Sequence, residues 1–396
     1  MAKKFKVFVG VSGGVDSSVA LALLKQQGYD VTGVFLKVWH PEFLPCDWKE
    51  ERRSAMRVCA TLGVPFLTFD FEIEYKKEVV DYMLQEYASG RVPNPDVFCN
   101  KFVKFGVFLD KAREMGADYI ATGHYAQKTS FSSNSSRSTH KISGEIFAHS
   151  RLPASESLRD EHESKKFPYC LLESTDKNKD QSYFLYTLNQ KQLSHTLFPV
   201  GGITKPEVRK LAKKFGLLTA EKKDSQGLCF IGKVDMKDFL THYIKTEKGD
   251  VINIKGKVVG RHDGAMLYTI GQRHGFEITL KTPNDNRFFV IAKDLVRNTI
   301  TVADKESDVA SVYSIKEIIV SNLHFISDKE PKLPMQTSAR IRYRQDKQNC
   351  ILSNQADGYH ITFKTPQNAV AVGQSAVLYD GDVCLGGGII EKVIVE

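Results

Sequence analysis

The sequence lacks the features that would place it in a membrane or in an oxidising compartment. It contains no run of about 18 apolar residues, so no segment is predicted to span a bilayer. Its seven cysteines are an odd number without any Cys-x-x-Cys pair, which argues against a disulfide framework, a zinc knuckle and a thioredoxin-like pair. The first residues lead almost at once into an apolar run and leave no room for a targeting peptide, so a cytoplasmic protein is expected.

The composition is ordinary for a globular protein, but the charge is unevenly distributed. The 396 residues are 42% hydrophobic and 26% charged, which is typical of a chain with two or three domains. Residues 200–281 carry 16 basic and 9 acidic side chains and account for nearly all of the net charge of +8. Such a block fits a polyanion such as nucleic acid, and it equally fits a solvated lysine face.

A glycine-rich turn at residues 10–18 (GVSGGVDSS) separates the apolar run Phe5–Val9 from the helical pattern of Val19–Leu24. A strand, a glycine turn and a helix in this order leave backbone N–H groups free to hold an anion. No Gly-Lys-Ser/Thr follows the glycines, so the turn is not a Walker A loop. The alternative is an ordinary helix N-cap by Ser12 or Asp16, although two neighbouring glycines and three serines exceed what a cap needs.

Further strand and helix patterns alternate through the first half of the chain. The predicted strands are Val31–Val38, Pro65–Phe69 and Asp118–Thr122, and the predicted helices are Asp47–Leu62, Ile73–Ala88 and Asn100–Met115. This alternation predicts an α/β fold with a parallel, doubly wound sheet, in which ligands sit beyond the carboxyl ends of the strands. Leu36 and Gly123 are expected near two of those ends.

Three domains are predicted, at residues 1–199, 200–281 and 282–396. The first contains a surface insertion, 130–167, in which 11 of 38 residues are serine and disorder is expected. A helix is expected to open at 179–185, with Asp180 as its cap. The second domain is predicted to be a small basic helical module. The third is predicted to be a β-barrel whose strands include Phe288–Ile291, Thr299–Val302, Ala339–Tyr343, Gly358–Phe363 and Ala376–Tyr379.

Two cysteines lie in polar surroundings. Cys99 follows two prolines in a predicted rigid loop, where a helix N-terminus and Lys101 would favour the thiolate and Asp96 could exchange protons. Cys229 lies among lysines and glycine in another predicted loop. The alternative for each is a buried structural cysteine. That structural role is predicted for the others, which are Cys46, Cys59, Cys170, Cys350 and Cys384.

The turn at 10–18 resembles the loop of the PP-loop ATP pyrophosphatases, and the chain as a whole resembles the tRNA-specific 2-thiouridylase family. The second resemblance is carried by the motifs NPDVFCN, ATGHYA, KDQSYFL, DSQGLCF, YTIGQR and RYR. It implies ATP and Mg²⁺ as cofactors, with Asp16 holding Mg²⁺ through the pyrophosphate. The implied ATP-binding residues are Gly10, Val11, Ser12, Gly13, Gly14, Val15, Asp16, Ser17, Leu36 and Gly123.

The same resemblance implies ATP-dependent 2-thiolation of the wobble uridine (U34) of tRNA. ATP would adenylate O2 of the uridine, Cys229 would carry a persulfide supplied by a sulfur-relay donor protein, and Cys99 would attack it to leave a Cys99–Cys229 disulfide. Asp96 would act as acid and base, and Asn94 and Pro95 would contact the flipped base. A monomer is expected. The implied tRNA contacts are His124, Asp180, Gln181, Ser182, Arg342, Tyr343 and Gln374.

Five of those tRNA contacts have a plainer interpretation. His124 could be a satisfied polar residue of the sheet, Asp180 and Ser182 a helix start, and Arg342 and Tyr343 an ordinary strand face. Two other functions stay open from the residues. One is a PP-loop synthetase or amidotransferase that adenylates a small carboxylate, and the other is a tRNA-binding protein without catalysis.

Overall fold

The computed structural model describes residues 4–43, 48–130, 169–223, 235–280, 287–304 and 314–395. Apart from Ser130, the predicted insertion 130–167 lies outside these ranges, so its expected disorder stays a prediction. Within the ranges, every helix is too short or too polar to cross a bilayer.

The strands are β1 (Lys6–Gly10), β2 (Asp30–Lys37), β3 (Phe66–Asp70), β4 (Tyr119–Ala121), β5 (Ala126–Ser130), β6 (Tyr169–Glu173), β7 (Thr196–Leu197), β8 (Gly249–Asn253), β9 (Val258–His262), β10 (Glu277–Ile278), β11 (Phe289–Asp294), β12 (Thr299–Ala303), β13 (Ile315–Phe325), β14 (Met335–Arg340), β15 (Gln348–Gln355), β16 (Gly358–Gln367), β17 (Ser375–Asp380) and β18 (Val383–Val395). The α-helical segments are α1 (Val15–Gln26), α2 (Trp48–Leu62), α3 (Glu72–Tyr75), α4 (Tyr82–Ala88), α5 (Pro95–Phe98), α6 (Phe108–Glu114), α7 (Gln190–Ser194), α8 (Lys205–Lys214) and α9 (Met236–Tyr243). Two π-helical segments, Lys76–Asp81 and Cys99–Val107, continue α3 and α5, and 3₁₀ turns lie at Ser182–Phe184 and Ala265–Leu267.

The N-terminal sheet is parallel, in the order β3-β2-β1-β4-β7. In its central strand, Val7 and Val9 face one side and Phe8 the other, and each is at most 1% exposed. The valines pack with apolar residues of α1, α2 and α8, whereas Phe8 packs with those of the helices between residues 72 and 114. Because helices cover both faces, the predicted doubly wound sheet is confirmed.

Two local predictions in this region are wrong. The helix expected from Asn100 begins at Pro95, which takes the first helical position where a missing N–H costs nothing, so Cys99 lies inside a helix and not in the loop before it. The helix expected at 179–185 is only the 3₁₀ turn Ser182–Phe184. Tyr183, Leu185 and Tyr186 are all buried there, which does not match one face of an amphipathic helix.

The middle of the chain forms a second sheet, in the order β10-β9-β8-β12-β11. The predicted helical character of this region is wrong beyond α9, because Val251, Val259 and Val302 lie on strands and meet in a small sheet core. The strands predicted at 288–291 and 299–302 belong here and not to the C-terminal barrel, since β12 runs parallel to β8. The domain division at 199/200 and 281/282 stays a prediction.

The predicted C-terminal β-barrel is confirmed and is closed. Its strands follow the order β13-β16-β15-β14-β17-β18, and β13 also pairs with β18 to complete the circle. Ile318, Leu352, Ile361 and Leu378 fill its centre and are fully buried. The hairpin β5–β6 of the N-terminal part joins this sheet through the pairing of Leu171 with Cys384.

A buried ion cluster holds the hairpin and the turn after it against the barrel. Arg340 of β14 lies 2.7 Å from the Glu173 carboxylate and 3.0 Å from that of Asp180, and these three side chains are 11%, 1% and 2% exposed. Lys347 adds a second cation 2.8 Å from Glu173. Because the carboxylates are desolvated, their charge depends on these cations.

Replacing Arg340 with methionine is expected to lower the free energy of unfolding by about 3–5 kcal/mol, because two buried carboxylates lose their shared guanidinium. Denaturant unfolding measures the loss. The matched control is Arg53→Met, which removes an arginine that is 61% exposed and paired with Glu50, and there the change is expected to stay below about 1 kcal/mol. Equal effects of the two substitutions would contradict the role of burial.

Candidate active site

The turn between β1 and α1 presents an uncapped helix N-terminus. The N-cap residue is Gly14, in an extended conformation and without any side-chain cap. The serines bond locally, since Ser18 Oγ donates to Gly14 O at 2.7 Å and Ser17 Oγ accepts from Ser12 N at 3.2 Å. Neither Ser12 nor Asp16 caps the helix, so that alternative is wrong. The first-turn amides are available to a phosphate.

Two glycines let backbone segments close around this turn. Gly13 has φ +74°, and a Cβ there would lie 2.7 Å from Glu51 O of α2. A Cβ on Gly123, just beyond β4, would lie 2.6 Å from Ser17 N. Both contacts are with backbone that cannot rotate away, so the sites require glycine. Leu36 is buried in β2. The turn thus forms a concave backbone surface whose N–H groups can donate hydrogen bonds, and this surface fits the phosphates of a nucleotide.

The carboxylate of Asp16 is held by two residues that the sequence did not single out. Lys205 Nζ, at the start of α8, donates to both carboxylate oxygens at 2.7 Å, and the Tyr125 hydroxyl donates to one of them at 2.7 Å. Lys222 Nζ donates to Gly13 O at 3.0 Å. Two lysines from beyond residue 200 therefore lie at the turn. The only signal for Lys205 in the sequence is the helix start Thr-Lys-Pro-Glu at 204–207, which says nothing about what Lys205 contacts. Lys222 is one of the lysines that precede Cys229.

The loop before α5 is positioned by the barrel. Gln374 Nε2 donates to Val92 O at 2.9 Å and to Pro93 O at 3.0 Å. Asn94 is buried and its side chain bonds Tyr183, while Pro95 and Asp96 are partly exposed. Cys99 is fully buried. Gln374, predicted to contact tRNA, thus also orders the loop predicted to receive the base.

One turn, called the linking turn, consists of Asp180, Gln181 and Ser182. It links the segment around Tyr125 to the loop before α5. Gln181 exchanges two hydrogen bonds with the backbone of Tyr125, at 3.0 and 2.8 Å. Asp180 accepts from Ser174 N at 2.9 Å and from Ser182 Oγ at 2.8 Å, and both Asp180 and Ser182 are buried. Burial raises the pKa of Asp180. Their predicted contact with tRNA stays a prediction, alongside this structural role.

His124 is buried, with Nδ1 at 2.8 Å from Thr122 Oγ1. Burial, and then the charge of Lys104, hold the pKa of His124 well below its usual range. Its contact with tRNA stays a prediction, and the plainer interpretation of a satisfied polar residue agrees with this geometry.

Acidification is expected to destabilise the fold through His124. Its imidazole protonates near pH 6.5 in the unfolded chain but only at lower pH in the folded one, so stability falls as the pH drops below about 6.5. His124→Gln is expected to remove up to about 1.4 kcal/mol per pH unit from that slope, as measured by unfolding in denaturant. The control, His274→Gln, changes an exposed imidazole and should leave the slope as it is. A slope unchanged in His124→Gln would contradict the argument.

Arg342 and Tyr343 follow β14 and lie against the same linking turn. The Tyr343 ring centroid is 4.5 Å from that of Phe184, and Arg342 donates to Asn368 O at 2.7 Å. The structure therefore brings together the nucleotide turn, the linking turn, the loop before α5 and the barrel residues 342, 343 and 374. Cys229 and Cys46 lie outside the described residues, so the Cys99–Cys229 pairing stays a prediction. The other predicted structural cysteines are buried.

The parallel sheet and its open helix N-terminus define a nucleotide-binding α/β domain, here followed by two β-rich units. Family models match in the same order. Residues 5–233 match a tRNA methyl transferase HUP domain, 237–304 a tRNA methyl transferase PRC-barrel domain and 315–390 an aminomethyltransferase beta-barrel domain. The chain belongs to the tRNA-specific 2-thiouridylase family.

Relatives named tRNA-specific 2-thiouridylase MnmA align over nearly the whole chain. The protein from Pseudomonas aeruginosa (strain LESB58) is 43% identical over 392 residues, which are 98% of this chain and 95% of the relative. The one from Geobacillus thermodenitrificans (strain NG80-2) is 42% identical over the same shares. A solved structure, the U34-tRNA thiolase NcsA from Methanococcus maripaludis, matches 58% of this chain and 63% of its own, with a TM-score of 0.32 and 16% identity.

Proposed function

We propose that the protein is an ATP-dependent tRNA sulfurtransferase that replaces O2 of the wobble uridine with sulfur and releases AMP and pyrophosphate. The observation that carries the proposal is the identity of 42–43% over 98% of the chain to the named 2-thiouridylases. The uncapped turn at 10–18 supports it, because the reaction needs a phosphate site beside a base site.

In this proposal the turn binds ATP, which supplies the AMP group that makes O2 of uridine a leaving group. The amides of residues 13–17 would hold phosphate oxygens, and Gly10, Val11, Leu36 and Gly123 would line the nucleoside side. Asp16 offers carboxylate oxygens, which suit Mg²⁺. Lys205 occupies both oxygens in this structure, so a Mg²⁺ ion bound there would compete with the lysine ammonium.

Sulfur transfer is assigned to Cys99 and Cys229. The Cys99 thiolate would attack the persulfide of Cys229 and form a disulfide, which reduces the terminal sulfur to sulfide. That sulfur would bond to C2 as the C2–O2 bond breaks and AMP leaves with the oxygen. Asp96, three residues before Cys99, would move the protons. Cys99 is fully buried in this structure.

The partners in this proposal are tRNA and a sulfur-relay donor protein. The enzyme itself is proposed to be monomeric and cytoplasmic. Basic residues of 200–281 would contact phosphates, which gives affinity without sequence choice. Asn94, Pro95, His124, Gln181 and Gln374 lie around one connected region of the structure, as one bound tRNA would require.

The test is a reaction of the full chain with unmodified tRNA, ATP, Mg²⁺ and a persulfide donor. We expect 2-thiouridine by mass spectrometry, with AMP and pyrophosphate formed and no ADP. AMP release with small carboxylates and no RNA would instead support the synthetase alternative. Binding of tRNA with no thiolation under any donor would support the non-catalytic alternative.

A further inference from the structure

The connection between β14 and β15 borders an open cavity of about 430 Å³ on the barrel. The residues that line it include Arg342, Tyr343, Arg344, Gln345, Gln367 and Asn368. Among the described residues that line the cavity, two are arginines, several carry amides and none carries a carboxylate. A concave surface with two guanidinium groups and neutral amides favours an anion.

The backbone on two sides of this cavity adopts a conformation that residues with a side chain rarely take. Arg344 has φ +64°, and Ala369, whose carbonyl accepts a bond from Arg342, has φ +49°. Neither position is a glycine, so the fold retains a strained backbone there. The strain directs the exposed Arg344 side chain back over Tyr343, with its guanidinium carbon 5.1 Å from the ring centroid.

The contacts of the Tyr343 ring indicate which part of a nucleotide this cavity favours. Tyr343 contacts both the Phe184 ring and the Arg344 guanidinium, so its ring already has partners and is poorly placed to stack on a base. Both arginines are exposed, and Arg342 donates to the backbone carbonyls of Asn368 and Ala369, which are neutral and do not cancel its charge. These features favour a phosphate over a base.

We propose that Arg344, together with Arg342, forms a subsite for a backbone phosphate of the bound tRNA. This rests on the proposed function and adds to it a residue outside the predicted contacts. The subsite is connected to the segment predicted to receive the target base, because Tyr343 packs on Phe184, whose carbonyl accepts a bond at 3.0 Å from Asn100, the residue after Cys99. The phosphate is therefore one that flanks the wobble nucleotide.

The test measures binding of an unmodified anticodon stem–loop RNA to the full chain over a range of salt concentrations. Arg344→Ala and Arg344→Gly are both expected to raise Kd about tenfold and to reduce the slope of log K against log salt by about 0.7–0.9. Arg344→Gly should melt no lower than the wild type, since glycine adopts positive φ without strain.

The control is Arg53→Ala, an exposed arginine of α2, which should bind the RNA as the wild type does. Arg344→Ala with unchanged Kd and slope would overturn the subsite, and so would a lower melting temperature of Arg344→Gly. Failure of the wild type to bind the stem–loop would contradict the proposed function itself. The experiment therefore distinguishes failure of the subsite from failure of the proposed function.

Discussion

Replacing Cys99 with serine is expected to reduce tRNA thiolation at least about a thousandfold, as the loss of a nucleophile does in other enzymes. The substitution is nearly isosteric, so the fully buried site should keep its packing. In the proposed mechanism, adenylation of O2 with release of pyrophosphate depends on the turn at 10–18 and not on this thiol, whereas AMP leaves only when sulfur displaces it. We therefore expect tRNA-dependent exchange of pyrophosphate into ATP to persist while 2-thiouridine disappears.

Cys59→Ser is the matched control, because Cys59 is also buried, at 1% exposure, in the same domain. Burial raises the pKa of the Cys59 thiol to about 11, so it is protonated at neutral pH and unreactive. This variant should thiolate tRNA at the rate of the wild type. Thiolation by Cys99→Ser at a comparable rate would rule out Cys99 as a reacting group.

Gly123→Ala is expected to weaken nucleotide binding and to reduce thiolation about a hundredfold. The new methyl group would lie 2.6 Å from Ser17 N and 2.8 Å from Asp16 C, so the first turn of α1 has to move. A displacement of about 1 Å at a reacting group can cost about a hundredfold in rate. ATP affinity measured by calorimetry, without tRNA, checks the binding part of this prediction.

Gly202→Ala gives the comparison for Gly123→Ala, since a Cβ on Gly202 meets nothing within 4 Å. It should bind ATP and thiolate tRNA normally. If Gly123→Ala bound ATP as tightly as Gly202→Ala, the close approach of β4 to the turn would have no part in nucleotide binding.

The N-terminal fold was predictable because its signals are local and strong. Val7, Phe8 and Val9 form a continuous apolar run, as expected of a strand buried on both faces, and the ends of β1 to β4 were predicted to within one residue. The turn at 10–18 has its own sequence signature. The start of α5 differs from the prediction because two prolines before Cys99 favour a rigid loop, whereas Pro95 occupies the first position of the helix.

The rest depended on contacts between distant segments. The pairing of β12 with β8 joins strands about 50 residues apart in sequence, and strands of only five residues carry little periodicity. Lys205 and Asp16 are 189 positions apart, and no local pattern predicts that they meet. The burial of Asp180 follows from Arg340 on a barrel strand, which is likewise a tertiary effect.

The hairpin β5–β6 explains how the chain accommodates the 38 residues between its two strands. Ser130 and Tyr169 are register partners, so the ladder holds both ends of whatever connects them. Lengthening a loop between fixed ends costs little, about 0.6 kcal/mol for each doubling of its length. This connection is therefore a place where a fluorescent label or an affinity tag can be inserted without altering the sheet that carries the active site.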